Sequence, residues 1–150
     1  MNKLTKAFVT SVFLFSFFCA NAAESADTPI GYVMKIEGDA TVTTNNDSVA
    51  AAVGTPVMAG STLRVGSKGS MGVTLKDNTV MSLGPNSETQ IEDYLYAPEK
   101  NDLKLTTKIT HGTLNFISGV IAKLRPESVQ IKTPTGTIGV RGTHFLVKVD

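Results

Sequence analysis

From residue 30 onward the chain alternates short apolar segments with clusters of Gly, Asn, Asp and Pro. Within the segments the apolar residues recur at every second position, as in Met71, Val73 and Leu75, then Met81 and Leu83, then Phe145, Val147 and Val149. Period two is the signature of half-buried strands, because successive Cβ atoms of extended backbone point to opposite faces. No helical period of 3.6 persists over ten or more residues.

The pattern predicts strands at 30–36, 40–44, 62–65, 70–75, 79–83, 89–91, 103–109, 113–116, 129–132 and 143–149. Turn residues lie between them at Gly38-Asp39, Asn45-Asn46-Asp47, Gly66 to Gly69, Gly84-Pro85-Asn86, His111-Gly112 and Pro98 to Asp102. One helical turn is expected over Ser118–Leu124. The fold class that follows is all-β, a small sandwich or a short solenoid-like stack of antiparallel sheets.

Two strands permit a finer reading. A two-residue turn at Asp77-Asn78 would pair Val73 with Ser82 and divide the apolar residues between both faces. A three-residue loop, Lys76-Asp77-Asn78, pairs Val73 with Met81 and Met71 with Leu83 and keeps one face apolar, so it is the expected register. It places Asn78 in the left-handed region, which asparagine tolerates. At the other end Phe145, Val147 and Val149 share a face, with His144, Leu146, Lys148 and Asp150 opposite. That strand is expected either to be interior or to present an unpaired edge, a template for another chain.

The first 22 residues change the picture of where the domain works. Lys3 and Lys6 precede the 13-residue apolar run Ala7–Cys19, which is shorter than the roughly 20 residues a membrane span needs. Ala20-Asn21-Ala22 then supplies a small-x-small cleavage site. Phe17-Phe18 stands where a lipoprotein signal wants a small residue before its cysteine, so the reading is cleavage between Ala22 and Ala23 and not lipidation at Cys19. The expected organisation is a signal peptide over 1–22, a polar, disordered leader over 23–29 and one β domain over 30–150. The expected location is the periplasm, or beyond it by secretion.

Cleavage removes Cys19, the one cysteine, and with it any disulfide or thiol chemistry. Without Lys3 and Lys6 the 14 basic residues become 12 against 13 acidic, a net charge of −1. These charges are scattered, so no basic stripe offers itself to nucleic acid or anionic lipid. No second apolar run is long enough to span a membrane.

Candidate chemistry is thin. His111 and His144, with no cysteine and no metal-ligand spacing, read as structural. Glu92 and Asp93 are neighbours on a strand and point apart, so they cannot converge as acid and base. Asn45-Asn46-Asp47-Ser48 lacks the Gly and terminal Glu of a calcium loop. Gly136-x-x-Gly139-x-x-Gly142 lacks the Gly-x-Gly start and the following helix of a dinucleotide loop. No catalytic, cofactor or metal residues are assigned, and the chain is expected not to be an enzyme. Arg141, between Val140 and Gly142, reads either as an anion clamp offered to a partner or as a structural arginine bonded to turn carbonyls or to one internal carboxylate.

Several segments together resemble one family. They are Gly38-Asp39-Ala40-Thr41-Val42, Gly60-Ser61-Thr62-Leu63, Leu83-Gly84-Pro85-Asn86-Ser87, Gly112-Thr113-Leu114 and Thr133-Pro134 through Ile138-Gly139-Val140-Arg141-Gly142-Thr143. In this order they are similar to the FecR-like domain along nearly the whole of residues 30–150. The resemblance implies an all-β periplasmic domain. In the namesake iron-transport regulators that domain belongs to a protein that relays receptor occupancy to a sigma factor, behind a cytoplasmic segment and a membrane helix. The sequence at hand shows neither, and it stops at Asp150, where family domains commonly add a hairpin. The expected role is a non-catalytic binding module for an unknown protein or glycan of the envelope. The alternative is a structural or scaffold subunit that oligomerises by strand addition. Arg141, Gly142, Thr143, Phe145 and Val147 are the candidate contacts.

Export has a direct test. The protein purified from envelope extract is expected to begin at Ala23 by intact-mass and N-terminal measurement. A lipid on Cys19, or an uncleaved Met1 form in the cytoplasm, would contradict it.

Overall fold

The computed structural model describes residues 28–150. The Ala22–Ala23 junction, the apolar run and most of the 23–29 leader lie outside the described residues. Twelve strands form the domain: β1 (Gly31–Glu37), β2 (Ala40–Thr44), β3 (Asp47–Ala50), β4 (Pro56–Val57), β5 (Thr62–Val65), β6 (Ser70–Leu75), β7 (Val80–Leu83), β8 (Glu88–Ala97), β9 (Asp102–Ile117), β10 (Val129–Thr133), β11 (Gly136–Gly139) and β12 (His144–Val149). One short helix, α1 (Val120–Leu124), lies where a helical turn is expected. The all-β class therefore holds.

The turns follow from side-chain chemistry. Every non-glycine residue with positive φ among the described residues is an asparagine: Asn45, Asn46, Asn78, Asn86 and Asn101. Asparagine enters the left-handed region at lower cost than other residues with a Cβ. Asn45-Asn46 turns β2 into β3, and Asn78, with φ of 65°, closes the three-residue loop between β6 and β7. The register there is the expected one, with Met71 opposite Leu83 and Val73 opposite Met81. All four side chains are buried.

The largest departure from the sequence reading concerns β9. Its residues were expected as two strands separated by a turn at His111-Gly112. They form one 16-residue strand that bends at Gly112, where φ is +91°. Below the bend β9 pairs with β8 and, in parallel, with β10; above it β9 pairs with β7 and β12. The strand thus belongs to two arms. One runs β3-β2-β5-β8-β9-β10-β11 and the other β4-β1-β6-β7-β9-β12. The sheets are joined through β9 and not stacked as separate units, and the β9–β10 pair departs from an all-antiparallel stack. β3, β4 and β11 were absent from the expected strands because their residues carry no buried alternation; β3 and β11 are exposed throughout. β8 continues past the expected 89–91 to Ala97, through a bulge between Ile91 and Asp93.

Ser87 holds the bend. Its hydroxyl accepts from Thr113 N at 2.9 Å and donates to Thr113 O at 3.1 Å, while Gly84 N also donates to Thr113 O. Asn86 supplies a carbonyl to His111 Nδ1 at 2.8 Å. The Leu83–Ser87 element is therefore the clamp on the corner of β9. Both arms pack inward on one core, with Leu63, Ile91, Leu105, Ile109 and Ile131 from one and Val33, Met71, Met81, Leu114 and Phe116 from the other.

A Cβ at position 112 would strike Ser87 Oγ and Cα and sit 2.7 Å from Asn86 O, on backbone that L-residues seldom adopt. Gly112→Ala is expected to cost about 3 kcal/mol or more in denaturant unfolding, combining backbone strain with a forced clash. Asn78→Gly, which keeps the left-handed turn, is expected to stay within about 0.5 kcal/mol. Equal losses from the two substitutions would contradict the assignment of the bend.

Candidate functional site

The candidate contacts lie where the chain leaves β11 and enters β12. Val140 is buried and pins the crossing; Arg141, Gly142 and Thr143 are exposed on it. Arg141, Gly142 and Thr143 line a hollow of about 340 Å³ together with Ser118, Ala122, Lys123 and Pro126. Val147 belongs to a different cleft, of about 560 Å³, walled by the 133–138 hairpin turn on one side and by Val147–Asp150 on the other. Phe145 lines neither and stacks on Phe116, with ring centroids 5.0 Å apart and planes at 21°. The five residues thus divide into an exposed loop and a strand whose apolar side chains face the core.

The loop is held from a buried polar cluster that the sequence did not disclose. Asp77 is fully buried. Its Oδ2 accepts from Thr79 Oγ1 at 2.7 Å and Ile121 N at 3.3 Å; its Oδ1 accepts from Thr79 N at 3.3 Å and the Tyr94 hydroxyl at 3.2 Å. The Tyr94 oxygen in turn accepts from Asp77 N at 3.0 Å. A buried carboxylate with no cation is tolerated only when donors surround it, and here four do. The Asp77 carbonyl accepts from Val120 N at 2.7 Å, and Thr79 Oγ1 accepts from Gly119 N at 3.2 Å. Together these bonds fix the start of α1. A Cβ at Gly119 would run into Asp77 O and Thr79 N, so only glycine fits this approach. Next to it Ser118 donates its N–H to Thr143 O at 2.8 Å and its hydroxyl to Gly142 O at 2.9 Å. The chain of bonds from Asp77 through Gly119 and Ser118 sets where Arg141 stands.

Arg141 itself has no hydrogen bond or ion pair among the described residues, so the reading of it as a turn arginine bonded to nearby carbonyls does not hold. Glu127, which shares a neighbouring hollow with Arg141, lies 3.8 Å from Arg125. The other sequence candidates separate. Glu92 pairs with Lys132 at 2.6 Å and Asp93 with Lys104 at 3.1 Å. The Glu92 carboxylate raises the pKa of the Lys132 amine through their hydrogen bond. His144 donates Nε2–H to Asn115 Oδ1 at 2.6 Å, and His111 bonds Asn86, so each imidazole has a structural partner. No group of three His, Cys, Asp or Glu side chains among the described residues is placed to hold a metal ion. No helix there is long and apolar enough to cross a membrane.

Comparison with known proteins adds one match. The family model described as FecR protein matches residues 61–150, which takes in β5 through β12, the Ser87 clamp and the Arg141 loop. No curated protein and no solved structure matches the chain.

The anchor has a pH signature. Burial, followed by the negative charge of Asp77, raises the Tyr94 phenol above its ordinary value of 10.0. A phenol that keeps its proton more tightly folded than unfolded contributes stability in full below pH 10.0. That contribution is lost as pH rises through the folded value, because the unfolded chain then ionises first. Unfolding free energy is expected to hold level from about pH 7 to 9 and to fall above about pH 10. Tyr94→Phe should flatten the fall while lowering neutral-pH stability by about 1–3 kcal/mol, since Asp77 loses a donor. A slope above pH 10 that survives unchanged in Tyr94→Phe would remove Tyr94 as its source.

Proposed function

The chain belongs to the FecR protein family, and on that premise we propose that it is a non-catalytic binding module of the bacterial envelope. In this reading it is exported by its N-terminal signal, acts in the periplasm and meets a partner at the Arg141 loop and the adjoining strand edge. The observation that carries it is the Arg141 guanidinium, exposed and without a hydrogen bond or ion pair among the described residues. Its loop is held firmly at Gly142 and Thr143 by Ser118. A fixed loop that presents an unspent planar fork of donors suits a carboxylate or similar anion on a partner surface.

Two further features favour binding over catalysis. The carboxylate pair Glu92 and Asp93 is divided between two lysines, and both histidines are tied to backbone or amide oxygens. General acid–base work needs such groups free and converging on one substrate atom. The signalling role of the namesake regulators is consistent with a sensing module, in which a bound partner is the signal.

Arg141→Glu tests the reading. Envelope components captured by the immobilised wild-type domain are expected to bind the variant at least tenfold more weakly, a loss of about 1.4 kcal/mol or more. The thermal midpoint should change little, because Arg141 is exposed and makes no hydrogen bond or ion pair among the described residues. Capture unaffected by the charge reversal, or turnover of a peptide or glycan library by the wild-type domain, would sink it.

A further inference from the structure

Charge is settled unevenly around α1. Arg64 and Arg125 stand beside Glu88 and Glu127, and Lys104 and Lys132 beside Asp93 and Glu92. Arg141 and Lys123 make no ion pair among the described residues. Both are exposed, and both line the hollow of about 340 Å³ between α1 and the crossing from β11 to β12. No Asp or Glu lines it. Four other hollows on the described surface each have a carboxylate in the wall: Asp150, Glu127, Asp47 and Asp39. Glu127, next to Pro126 in the chain, lines the neighbouring hollow and lies 3.8 Å from Arg125.

The remaining wall is neutral. Ala122, half-buried and packed on the core, and Pro126 give the hollow an apolar side. Thr143 adds a hydroxyl with no hydrogen-bond partner among the described residues. A carboxylate has about four lone-pair positions, and a guanidinium fork, an ammonium and a hydroxyl together supply donors for them. The complementary occupant thus carries a carboxylate and an apolar group side by side. An Asp or Glu inside a chain uses its side chain to carry the charge and leaves the apolar wall uncovered. The last residue of a chain has both on one carbon, its α-carboxylate and its side chain. Size sets a second bound. About 340 Å³ is near the lower end of the roughly 300–1,000 Å³ of small-molecule sites. A terminal side chain fits there, whereas most of a long acyl tail would remain in water.

We propose that this hollow receives the free C-terminus of a partner chain, its α-carboxylate between the Lys123 ammonium and the Arg141 guanidinium and its apolar last side chain against Ala122 and Pro126. This rests on the reading of the domain as a binding module and names what the Arg141 loop recognises. Capture of a terminal carboxylate is a recurring mode of peptide recognition. Both cations are available for it without the breaking of an ion pair inside the domain.

A library of peptides with free, randomised C-termini, screened on the purified protein, tests the proposal. Selection is expected to enrich Leu, Ile, Val or Phe at the last position. Amidating the terminus of a selected peptide removes the charge and should weaken its binding about tenfold or more. Lys123→Gln should weaken binding roughly threefold or more and lessen its salt dependence, with the thermal midpoint as the check on folding. Ala122→Leu occupies the apolar side and should weaken binding about tenfold or more. Should Ala122→Leu not fold, Lys123→Gln and the amidated peptide still decide. No preference at the last position, equal binding of the amidated peptide, or binding unchanged in folded Lys123→Gln would overturn the proposal. Enrichment of internal Asp or Glu would do so too, as would Lys123-dependent binding of oleate with no free-ended peptide selected. Arg141-dependent capture of an envelope protein that survives removal of that protein's last residues would overturn C-terminal recognition while leaving the interaction module standing.

Discussion

The fold depends on one bend. Among the described residues β9 alone is shared by both arms, and its course turns at Gly112, where φ is +91° and no Cβ could fit against Ser87. A straight strand of 16 residues would extend about 53 Å and hold its neighbours in one flat sheet. Bending it lets Leu105 and Ile109 from one half and Leu114 and Phe116 from the other face a common interior. Ser87 supplies the bonds that a sharp corner leaves unmade, serving Thr113 as acceptor and donor at once. The domain has no disulfide among its described residues, so this corner and the core it encloses must carry the stability.

Much of this was legible because buried strands advertise themselves. Where one face is buried, as in β6, β7 and β12, alternation disclosed the element, and between β6 and β7 it disclosed the register and even the φ of Asn78. β9 was misread for a physical reason: His111-Gly112 is the composition of a turn, and a bend inside a strand needs the same positive φ that a turn does. β3 and β11 left no pattern because neither buries a face. The Asp77 cluster was invisible for another reason. Its partners, Thr79, Tyr94, Gly119 and Ile121, are separated by up to 44 residues in sequence, and a loop aspartate ordinarily faces water. The candidate site was half legible. Arg141 was identified by its setting near glycines, but Ser118, which fixes the loop, and Ile138, which opens on the cleft, carried no signal of their own.

The Asp77 cluster also explains why the Arg141 loop can be firm without being buried. Loops that run over a surface keep their shape only if something bonded to the scaffold holds their carbonyls. Here the β6–β7 loop fixes Gly119 and α1, and Ser118 beside them takes hold of Gly142 and Thr143. The backbone from which Arg141 projects is therefore held by the core through this chain of bonds. Under the proposed role, less loop freedom would remain to be lost on binding.

An unpaired strand edge is ordinarily a hazard, because it offers its N–H and C=O groups to any extended chain, including a sheet of its own kind. Lys148 and Asp150 pair with each other at 3.1 Å on the outward face of β12, and that places charge on the edge without closing it. Leu146, on the same face and 67% exposed, works against them. Ile138 of β11 and Val147–Asp150 of β12 line one cleft between the two arms. The β10–β11 ladder from Gln130–Gly139 to Thr133–Gly136 and the parallel pairing of Val129–Lys132 with β9 hold the far wall of that cleft in place. The first arm carries two strands beyond β9 among the described residues and the second carries one, and that unevenness leaves Ile138 partly exposed although it stands opposite the fully buried Ile131.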